Sequence, residues 1–224
     1  MEIKLNKYID HTLLKPEATK QDIINLCNQA IQYDFATVCV NTCWTSFCKE
    51  LLKNSNVGIT NVVGFPLGAC LTEVKVFEVK KAIENGCDEI DMVLNIGALK
   101  DKDYDLVLND MKEVKKAAND HVVKVILENC LLTREEIIKA CELAVQAGLE
   151  FVKTSTGFNK SGANIEDIKL MSKVVKNKAQ VKAAGGVRTY EDAIEMINAG
   201  ASRLGTSGSV EIMLKQENKS KLLI

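Results

Sequence analysis

Three lysines stand inside short apolar runs that have the length of buried β-strands. They are Lys124 in VVKVILE, Lys153 in FVKTSTGF and Lys182 in QVKAAGG. Burial disfavours an ammonium ion and a second ammonium nearby disfavours it further, so the pKa of one amine in such a group falls towards neutral pH. A neutral amine in a dry pocket attacks a carbonyl carbon and forms a carbinolamine and then a Schiff base. The three runs therefore predict a site for carbonyl chemistry.

Alternation along the strands indicates where these side chains point. In a closed barrel the apolar residues of a strand face the helices and the residues between them face the interior. This pattern turns Lys124, Lys153 and Lys182 inward, and in DEIDMVLN it turns Glu89 and Asp91 inward as well. A protonated imine withdraws electrons, so carbon–carbon bonds next to it can be made or broken. We expect Asp91 to relay the protons that this reaction requires.

An exposed position is the alternative for each lysine. A strand lysine can pack its stem against the sheet and keep its ammonium in water. Any one of the three fits that alternative. Three lysines at matching places in neighbouring strands favour a shared interior site instead.

A repeated helix-then-strand pattern would position these residues. It occurs in IENGCDEIDMV, VQAGLEFVKTS and INAGASRLGTS, where a glycine suits the left-handed residue that ends a helix and an apolar run suits a strand buried on both faces. Such repeats are typical of parallel βα units. The strands predicted on this pattern are Tyr8–Asp10, Thr37–Val40, Gly58–Val63, Glu89–Leu94, Val122–Leu127, Phe151–Lys153, Gln180–Ala183 and Arg203–Gly205.

Eight such units predict a closed (β/α)8 TIM barrel, of class α/β, that occupies residues 1–224 as a single domain. An open doubly wound sheet is the alternative, although no G-x-G-x-x-G motif follows the first strand. Thr133 and Glu136 form a capping-box pattern before one predicted helix. The predicted helices include Lys20–Gln32, Leu71–Glu84, Arg134–Ala147 and Tyr190–Ala199.

Composition excludes several classes of partner. The 29 basic and 30 acidic side chains nearly cancel and are spread along the chain, which argues against nucleic acid and membrane surfaces. The apolar runs are of strand length, and Met1–Lys4 lacks the apolar region of a signal peptide. We therefore expect eight reduced cysteines and a cytoplasmic protein. The C-x3-C-x4-C spacing and only two histidines supply few ligands for a metal, so none is expected.

Glycine-rich segments follow the last two predicted strands. They are Gly185-Gly186-Val187-Arg188 and Gly205-Thr206-Ser207-Gly208-Ser209. The loops after strands seven and eight of this barrel usually bind phosphate, through backbone amides, hydroxyls and a helix N-terminus. Ordinary turn glycines would explain either segment alone. Both together predict a phosphorylated carbonyl compound as the ligand.

The chain resembles the deoxyribose-phosphate aldolase family from end to end. The pair FVKTSTGF and VKAAGGVR is the most specific part of this resemblance. The other matching motifs are IDHTLLKP from Ile9, VGFPLG from Val63, DEIDMVLNIGALK from Asp88, KVILENCLLT from Lys124 and GASRLGTS from Gly200.

The resemblance implies a metal-free class I, Schiff-base aldolase without a cofactor. Such an enzyme reversibly splits 2-deoxy-D-ribose 5-phosphate into D-glyceraldehyde 3-phosphate and acetaldehyde, in the breakdown of deoxyribonucleotides and deoxyribose. It also implies a homodimer. By motif position, Lys153 matches the Schiff-base lysine, Lys182 the second lysine that lowers the pKa of the first, and Asp91 the acid of the proton relay.

The resemblance also implies binding residues. Asp10 and Thr12 match positions near the substrate hydroxyls, and Lys124 matches a residue that organises charge behind the site. The residues at positions that surround the phosphate in the family are Gly157, Gly185, Gly186, Arg188, Gly205 and Ser207.

The chain departs from some relatives at three positions. Phe158 stands where some carry a lysine, so that phosphate contact is absent or moves to Lys160. Ala184 and Gly208 stand where serine is common. Two other functions stay open: a phosphosugar isomerase that uses Asp91 as its base, and a non-catalytic phosphosugar-binding protein.

Overall fold

A computed structural model describes residues 4–221, and within them eight parallel strands close into a barrel with the helices outside. Residues 1–3, which belong to the N-terminal segment without a predicted signal peptide, lie outside the described part. Residues 222–224 of the C-terminal tail also lie outside it. The strands are β1 Ile9–Leu13, β2 Thr37–Val40, β3 Gly58–Val63, β4 Glu89–Val93, β5 Val122–Ile126, β6 Phe151–Lys153, β7 Gln180–Ala184 and β8 Arg203–Thr206. The α-helices are α1 Lys20–Tyr33, α2 Thr45–Leu52, α3 Thr72–Glu84, α4 Ile96–Lys100, α5 Tyr104–Ala118, α6 Arg134–Gln146, α7 Ile165–Val175, α8 Tyr190–Asn198 and α9 Ser209–Lys221.

The strands follow one another around the barrel in chain order. Each pairs in parallel with the next, and β8 pairs with β1, so that Asp10 lies opposite Gly205 on one side and Thr37 on the other. The predicted TIM barrel is confirmed. The open sheet is excluded, because an open sheet has two edge strands that pair on one side only, whereas each of these eight strands pairs on both sides.

The helix ends follow the predicted signals. Gly86, Gly148 and Gly200, one in each repeated segment, have φ angles of 100°, 77° and 118°. These left-handed conformations suit glycine and end the preceding helix. The capping box before α6 is present: Thr133 Oγ1 accepts a hydrogen bond from the Glu136 amide, and Glu136 Oε2 accepts one from the Thr133 amide at 2.7 Å. Local sequence therefore sets where these helices start and stop.

The first strand differs most from its prediction. Tyr8 belongs to a short 3-10 helix, and β1 runs on through His11 and Thr12 to Leu13. Polar residues obscured this extension in the sequence, because a doubly buried strand is expected to be apolar. His11 is nevertheless buried. The other strands begin where they were predicted and end within one residue of the prediction.

Apolar packing lies mainly between the sheet and the helices. The outward residues of β4 and β5, such as Ile90, Met92, Val123 and Val125, are fully buried in this layer. The barrel interior is different, since it holds charged side chains with no exposed surface. Within the described residues no helix is long and apolar enough to cross a lipid bilayer. All eight cysteines are free thiols.

Candidate active site

The barrel interior holds a group of charged side chains in direct contact, which we call the ionic cluster. The carboxylates come from β1 and β4, and the cations come from β5 to β8. Its members are Asp10, Glu89, Asp91, Lys124, Lys153, Lys182 and Arg203.

Asp91 lies at the centre of the ionic cluster. Its Oδ2 accepts hydrogen bonds from Lys153 Nζ and Lys182 Nζ, each at 2.8 Å, and its Oδ1 accepts one from Lys124 Nζ at 2.9 Å. Lys153 and Lys182 are register partners on β6 and β7. The structure thus brings together the three lysines and the acid that the sequence singled out. Lys124 is the register partner of Phe151, two residues before Lys153. It therefore lies nearer the amino ends of the strands than the matching position that was predicted.

Asp10 binds the other side of Lys182. Its Oδ2 accepts a hydrogen bond from Lys182 Nζ, and its Oδ1 accepts from Arg203 Nη1 at 2.7 Å and from Thr37 Oγ1 at 2.9 Å. Asp10 is fully buried and does not line the cavity, so its carboxylate is not exposed to the substrate hydroxyl that it was predicted to lie near. Its carboxylate balances the charges of Lys182 and Arg203 inside the barrel. Thr12 does line the cavity, and its Oγ1 donates to the Asp10 carbonyl at 2.9 Å.

The contacts within the ionic cluster fix its charges. Burial raises the pKa of a carboxyl, but at Asp91 the three lysines outweigh burial and hold the pKa well below its ordinary value. Asp10 has a lowered pKa for the same reason, with Lys182 as the main opposing charge. Burial lowers the pKa of an ammonium, but at Lys182 the carboxylates of Asp10 and Asp91 outweigh it and raise the pKa. Lys124 is likewise raised, mainly by Asp91.

These directions correct part of the sequence-based expectation. Burial and a second ammonium were expected to dominate, yet carboxylates on neighbouring strands keep Lys124 and Lys182 protonated. The expectation from burial and a second ammonium left out the charges of Asp10, Glu89 and Asp91, which lie next to these amines. Lys153 differs from the other two lysines because its amine contacts a single carboxylate, Asp91.

A cavity of about 410 Å³ opens at the carboxyl ends of β1, β6, β7 and β8. Of the ionic cluster, only Lys153 lines it, with 2% of its surface exposed. The predicted phosphate residues meet at the same cavity. Those on its wall are Gly157, Gly185, Gly186, Arg188, Gly205 and Ser207.

The loops predicted to bind phosphate have a backbone that allows close approach of a ligand. Gly157, Gly185 and Gly186 have φ angles of 86°, 78° and 82°, which glycine adopts without strain. Ser207 lies on the cavity wall, and α9 begins two residues later, so the positive end of its dipole lies near the cavity. Arg188 adds a cation. This wall can hold an anion.

Phe158, the residue after T-S-T-G, makes an aromatic contact on the cavity wall. Phe158 is 51% exposed on the cavity wall, and its ring meets Phe65 edge-on at a centroid distance of 5.3 Å. Lys160 is exposed and does not line the cavity. Lys15, which the sequence reasoning passed over, does line it. A second cation therefore comes from the loop after β1 rather than from the loop after β6.

Arg203 and Glu128 had no predicted role, although alternation turns Glu128 inward. Arg203 was open to prediction, because the apolar Leu204 faces outward and alternation then turns Arg203 inward. Glu128 was not, since its role depends on a contact between loops. Its carboxylate accepts hydrogen bonds from the amide and the hydroxyl of Thr156 and so fixes the loop after Lys153.

Comparisons with known proteins identify the family of this chain. The family model described as DeoC/LacD family aldolase matches residues 4–211. A deoxyribose-phosphate aldolase of Mycoplasma capricolum subsp. capricolum is 99% identical over 220 residues, covering 98% of this chain and 99% of that protein. One from Thermococcus kodakarensis is 59% identical over 214 residues, covering 94% of this chain and 96% of that protein. A deoxyribose phosphate aldolase from Aeropyrum pernix, solved as a tetramer, has a TM-score of 0.89 at 32% identity, over 95% of this chain and 91% of that one. The chain belongs to the DeoC/LacD family of aldolases.

Proposed function

We propose that Lys153 is the nucleophile of a class I aldolase reaction in this protein. The protein reversibly cleaves 2-deoxy-D-ribose 5-phosphate into D-glyceraldehyde 3-phosphate and acetaldehyde. One observation supports Lys153 above the other lysines: it alone of the ionic cluster lines the cavity that also carries the phosphate loops. Within the described residues it also contacts fewer carboxylates than Lys124 or Lys182.

The reaction begins when the neutral Lys153 amine attacks C1 of the open-chain sugar. The carbinolamine loses water and becomes a protonated imine, which draws electrons from the C2–C3 bond. The C3 hydroxyl loses its proton as that bond breaks, which releases D-glyceraldehyde 3-phosphate and leaves an enamine. Protonation at C2 and addition of water then release acetaldehyde and restore the amine.

Lys182 and Asp91 move the protons in this proposal. Lys182 retains a proton because its pKa is raised, and Asp91 Oδ2 contacts both amines at 2.8 Å. A proton can therefore pass between the buried Lys182 amine and the Lys153 amine through Asp91, and Lys153 lines the cavity. Lys124 and Asp10 hold the charges of this pair in place. Thr12, on the cavity wall, is positioned for a substrate hydroxyl.

The phosphate is held by the loops after β6, β7 and β8. Backbone amides of glycine residues, the Ser207 hydroxyl and the start of α9 supply donors, and Arg188 and Lys15 supply charge. The six residues predicted from the sequence to surround the phosphate all line the cavity. They are Gly157, Gly185, Gly186, Arg188, Gly205 and Ser207.

Reductive trapping tests the nucleophile. We expect acetaldehyde and borohydride to leave a reduced two-carbon adduct on Lys153, identified by mass spectrometry of the digested protein. Peptides that carry Lys124 and Lys182 serve as internal controls and should stay unmodified, because both amines are protonated and buried. An unmodified Lys153 in folded protein would count against the proposal.

Lys153→Arg is the matched control variant. A guanidinium keeps its charge at neutral pH and cannot form the imine, so we expect a folded protein without adduct and without turnover. Turnover that survives this change would favour the isomerase, with Asp91 as its base. Binding of phosphosugar without turnover by the unmodified protein would favour the non-catalytic binding protein.

We further propose that the protein is a cytoplasmic homodimer. Eight free thiols suit a reducing compartment. The exposed apolar side chains of Leu71, Phe77 and Leu106 line a groove of about 730 Å³, where Lys80 and Glu113 of two copies could pair. The relative from Aeropyrum pernix has a tetrameric structure. Light scattering should give twice the chain mass of 24.7 kDa; the mass of one chain, or recovery in a secreted fraction, would contradict this proposal.

A further inference from the structure

Glu89 and Arg203 close the ionic cluster at the end of the barrel opposite the cavity. They are the first residues of β4 and β8, whereas the cavity lies at the carboxyl ends of the strands. Arg203 Nη1 and Nη2 donate to Glu89 Oε2 and Oε1 at 3.0 and 3.3 Å, so the pair is bidentate. Their side chains are only 15% and 14% exposed.

Each member of this pair also contacts a charged residue that binds Lys182 or Asp91 directly. Arg203 Nη1 donates to Asp10 Oδ1 at 2.7 Å, and Asp10 in turn binds Lys182. Glu89 Oε2 lies 2.5 Å from Lys124 Nζ, and Lys124 in turn binds Asp91. These contacts run through a buried interior, where charges interact more strongly than in water and salt screens them little. The charges of Glu89 and Arg203 therefore contribute to the electrostatic potential at the Lys153 amine, although neither side chain lines the cavity.

The Phe151 ring keeps the cations of Arg203 and Lys124 in place. The Arg203 guanidinium carbon lies 5.4 Å and Lys124 Nζ lies 5.8 Å from the ring centroid. Such cation–π contacts are favourable, and more so away from water. The aromatic residue two positions before Lys153 thus fixes Arg203 and Lys124 relative to the same strand.

The charges of the ionic cluster do not cancel when every member is ionised. Four cations, Lys124, Lys153, Lys182 and Arg203, face three carboxylates, Asp10, Glu89 and Asp91. Loss of one proton from Lys153 brings the cluster to balance. Removing the Arg203 charge would balance it with Lys153 still protonated, and removing the Glu89 charge would enlarge the excess.

Other side chains that face the ionic cluster do not alter this balance. Cys39 on β2 is fully buried, and burial raises the pKa of its thiol, so it remains neutral. Thr37 on β2 and Thr60 on β3 contribute hydroxyls to Asp10 and Glu89. Glu128, after β5, is engaged by Thr156 in the loop that follows Lys153.

We propose that Glu89 and Arg203 are positioning residues that set the pH at which the Lys153 amine becomes reactive, Arg203 by promoting loss of its proton and Glu89 by opposing it. This inference rests on the proposed role of Lys153 as nucleophile. It assigns a function to two residues that touch neither the cavity nor the reacting amine.

The test measures the rate of adduct formation as a function of pH, with acetaldehyde and cyanoborohydride. Acetaldehyde carries no phosphate, so ionisation of the substrate does not enter the profile. We expect Glu89→Gln to move the midpoint of the rise to lower pH and Arg203→Met to move it to higher pH, each by about one pH unit. The double variant should return the midpoint close to that of the unmodified protein, because it removes one charge of each sign.

Opposite shifts separate this role from a structural one. General loosening of the barrel would slow both variants without moving their midpoints in opposite directions. Lys81→Met and Glu84→Gln are matched controls, because this exposed pair on α3 has an Nζ–Oε2 distance of 2.6 Å and lies outside the barrel. Neither control should move the midpoint.

Several outcomes would overturn the inference. The inference is contradicted if the midpoints of Glu89→Gln and Arg203→Met stay fixed or move in the same direction. This holds for variants whose circular dichroism shows an intact fold. If Arg203→Met does not fold, the isosteric Glu89→Gln decides alone, since a midpoint that stays or rises contradicts the assignment. Absence of any Lys153 adduct in the unmodified protein would instead refute the proposed function itself.

Discussion

Lys153 and Lys182 show how two identical side chains at one register level acquire different roles. Their Cα atoms are register partners, and both amines contact Asp91 Oδ2 at 2.8 Å. Burial works against the charge of Lys182, but Asp10 and Asp91 together raise its pKa. Lys153 has only Asp91, and it ends its strand at the cavity. The number of carboxylates in contact and the access to the cavity therefore separate the proposed nucleophile from its neighbour.

His11 is a buried residue that joins β1 to the phosphate side of the barrel. Its Nδ1 lies 2.8 Å from Ser209 Oγ, in the first turn of α9, and its Nε2 lies 2.9 Å from Gln29 Oε1 of α1. A neutral imidazole has one N–H, and Gln29 Oε1 only accepts, so Nε2–H donates to Gln29 and Nδ1 accepts from the Ser209 hydroxyl. His11 thus holds the start of α9 next to Ser207, on the cavity wall.

Two substitutions at His11 separate these contacts. An asparagine amide can take the place of Nδ1, and a glutamine amide can take the place of Nε2. We expect His11→Gln to raise KM for 2-deoxy-D-ribose 5-phosphate about fivefold, which corresponds to one lost hydrogen bond of about 1 kcal/mol. His11→Asn should keep KM within about twofold, because the bond to Ser209 survives.

The unphosphorylated sugar provides the control for this prediction. KM for 2-deoxy-D-ribose should not change in either variant, since that sugar makes no use of the phosphate loops. Equal losses with both sugars would indicate general damage to the barrel and contradict the role assigned to His11.

At the scale of elements, the cavity wall is one unit because its loops are bonded to each other. The Ala163 amide, after β6, donates to the Gly185 carbonyl at 2.9 Å, and Thr206 Oγ1, at the end of β8, donates to the Val187 carbonyl at 2.6 Å. A Cβ at Gly162 would lie 2.1 Å from the Gly185 carbonyl oxygen, so this approach requires glycine. Three βα loops are therefore held in a fixed relation around the proposed phosphate position.

The strands and the inward lysines were predictable because buried parallel strands have a simple sequence pattern. Apolar runs, three of them preceded by a helix-ending glycine, predicted seven of the eight strand starts, and alternation placed Lys124, Lys153 and Lys182 inside. His11 and Thr12 broke the pattern in β1, since a buried histidine with two hydrogen-bond partners looks like a loop residue in sequence. Local pattern thus predicts an element where burial is apolar and fails where burial is polar.

The state of each lysine was beyond local pattern. It depends on Asp10, Glu89 and Arg203, which come from strands that are far apart in sequence and meet only when the barrel closes. Glu128 is a similar case. Its φ of 58° is unusual for a residue other than glycine, and its carboxylate holds Thr156 of the next loop. Residue types suggested the chemistry, but the tertiary contacts determine the charges.

For the whole molecule, the ionic cluster takes the place of an apolar core inside the barrel. The side chains of Asp10, Asp91, Lys124 and Lys182 are fully buried, and removal of one partner would leave an uncompensated charge without water. Folding therefore depends on all of these groups being ionised together. This dependence links the stability of the barrel to pH.

The sign of the pH dependence follows from the direction of each shift. Asp10 and Asp91 have lowered pKa values, so the unfolded chain binds more protons in acid, and their contribution is present above the unfolded value of about 3.9 and lost as pH falls below it. Lys124 and Lys182 have raised pKa values, so their contribution is present below about 10.4 and lost as pH rises through the folded values. Burial lowers the pKa of His11, which adds an earlier loss below about pH 6.5.

We therefore expect the free energy of unfolding to be nearly constant between about pH 7 and 9, to fall in two steps towards acid, and to fall again above about pH 10. Urea unfolding at constant ionic strength measures this profile. His11→Asn should remove the first acid step and leave the second, because it removes the histidine but no member of the ionic cluster. The second step should persist in about 1 M salt, where exposed ion pairs are screened but buried ones are not. A second step that disappears in salt would place its origin at the surface, and stability that rises below pH 4 would contradict the lowered pKa values of Asp10 and Asp91.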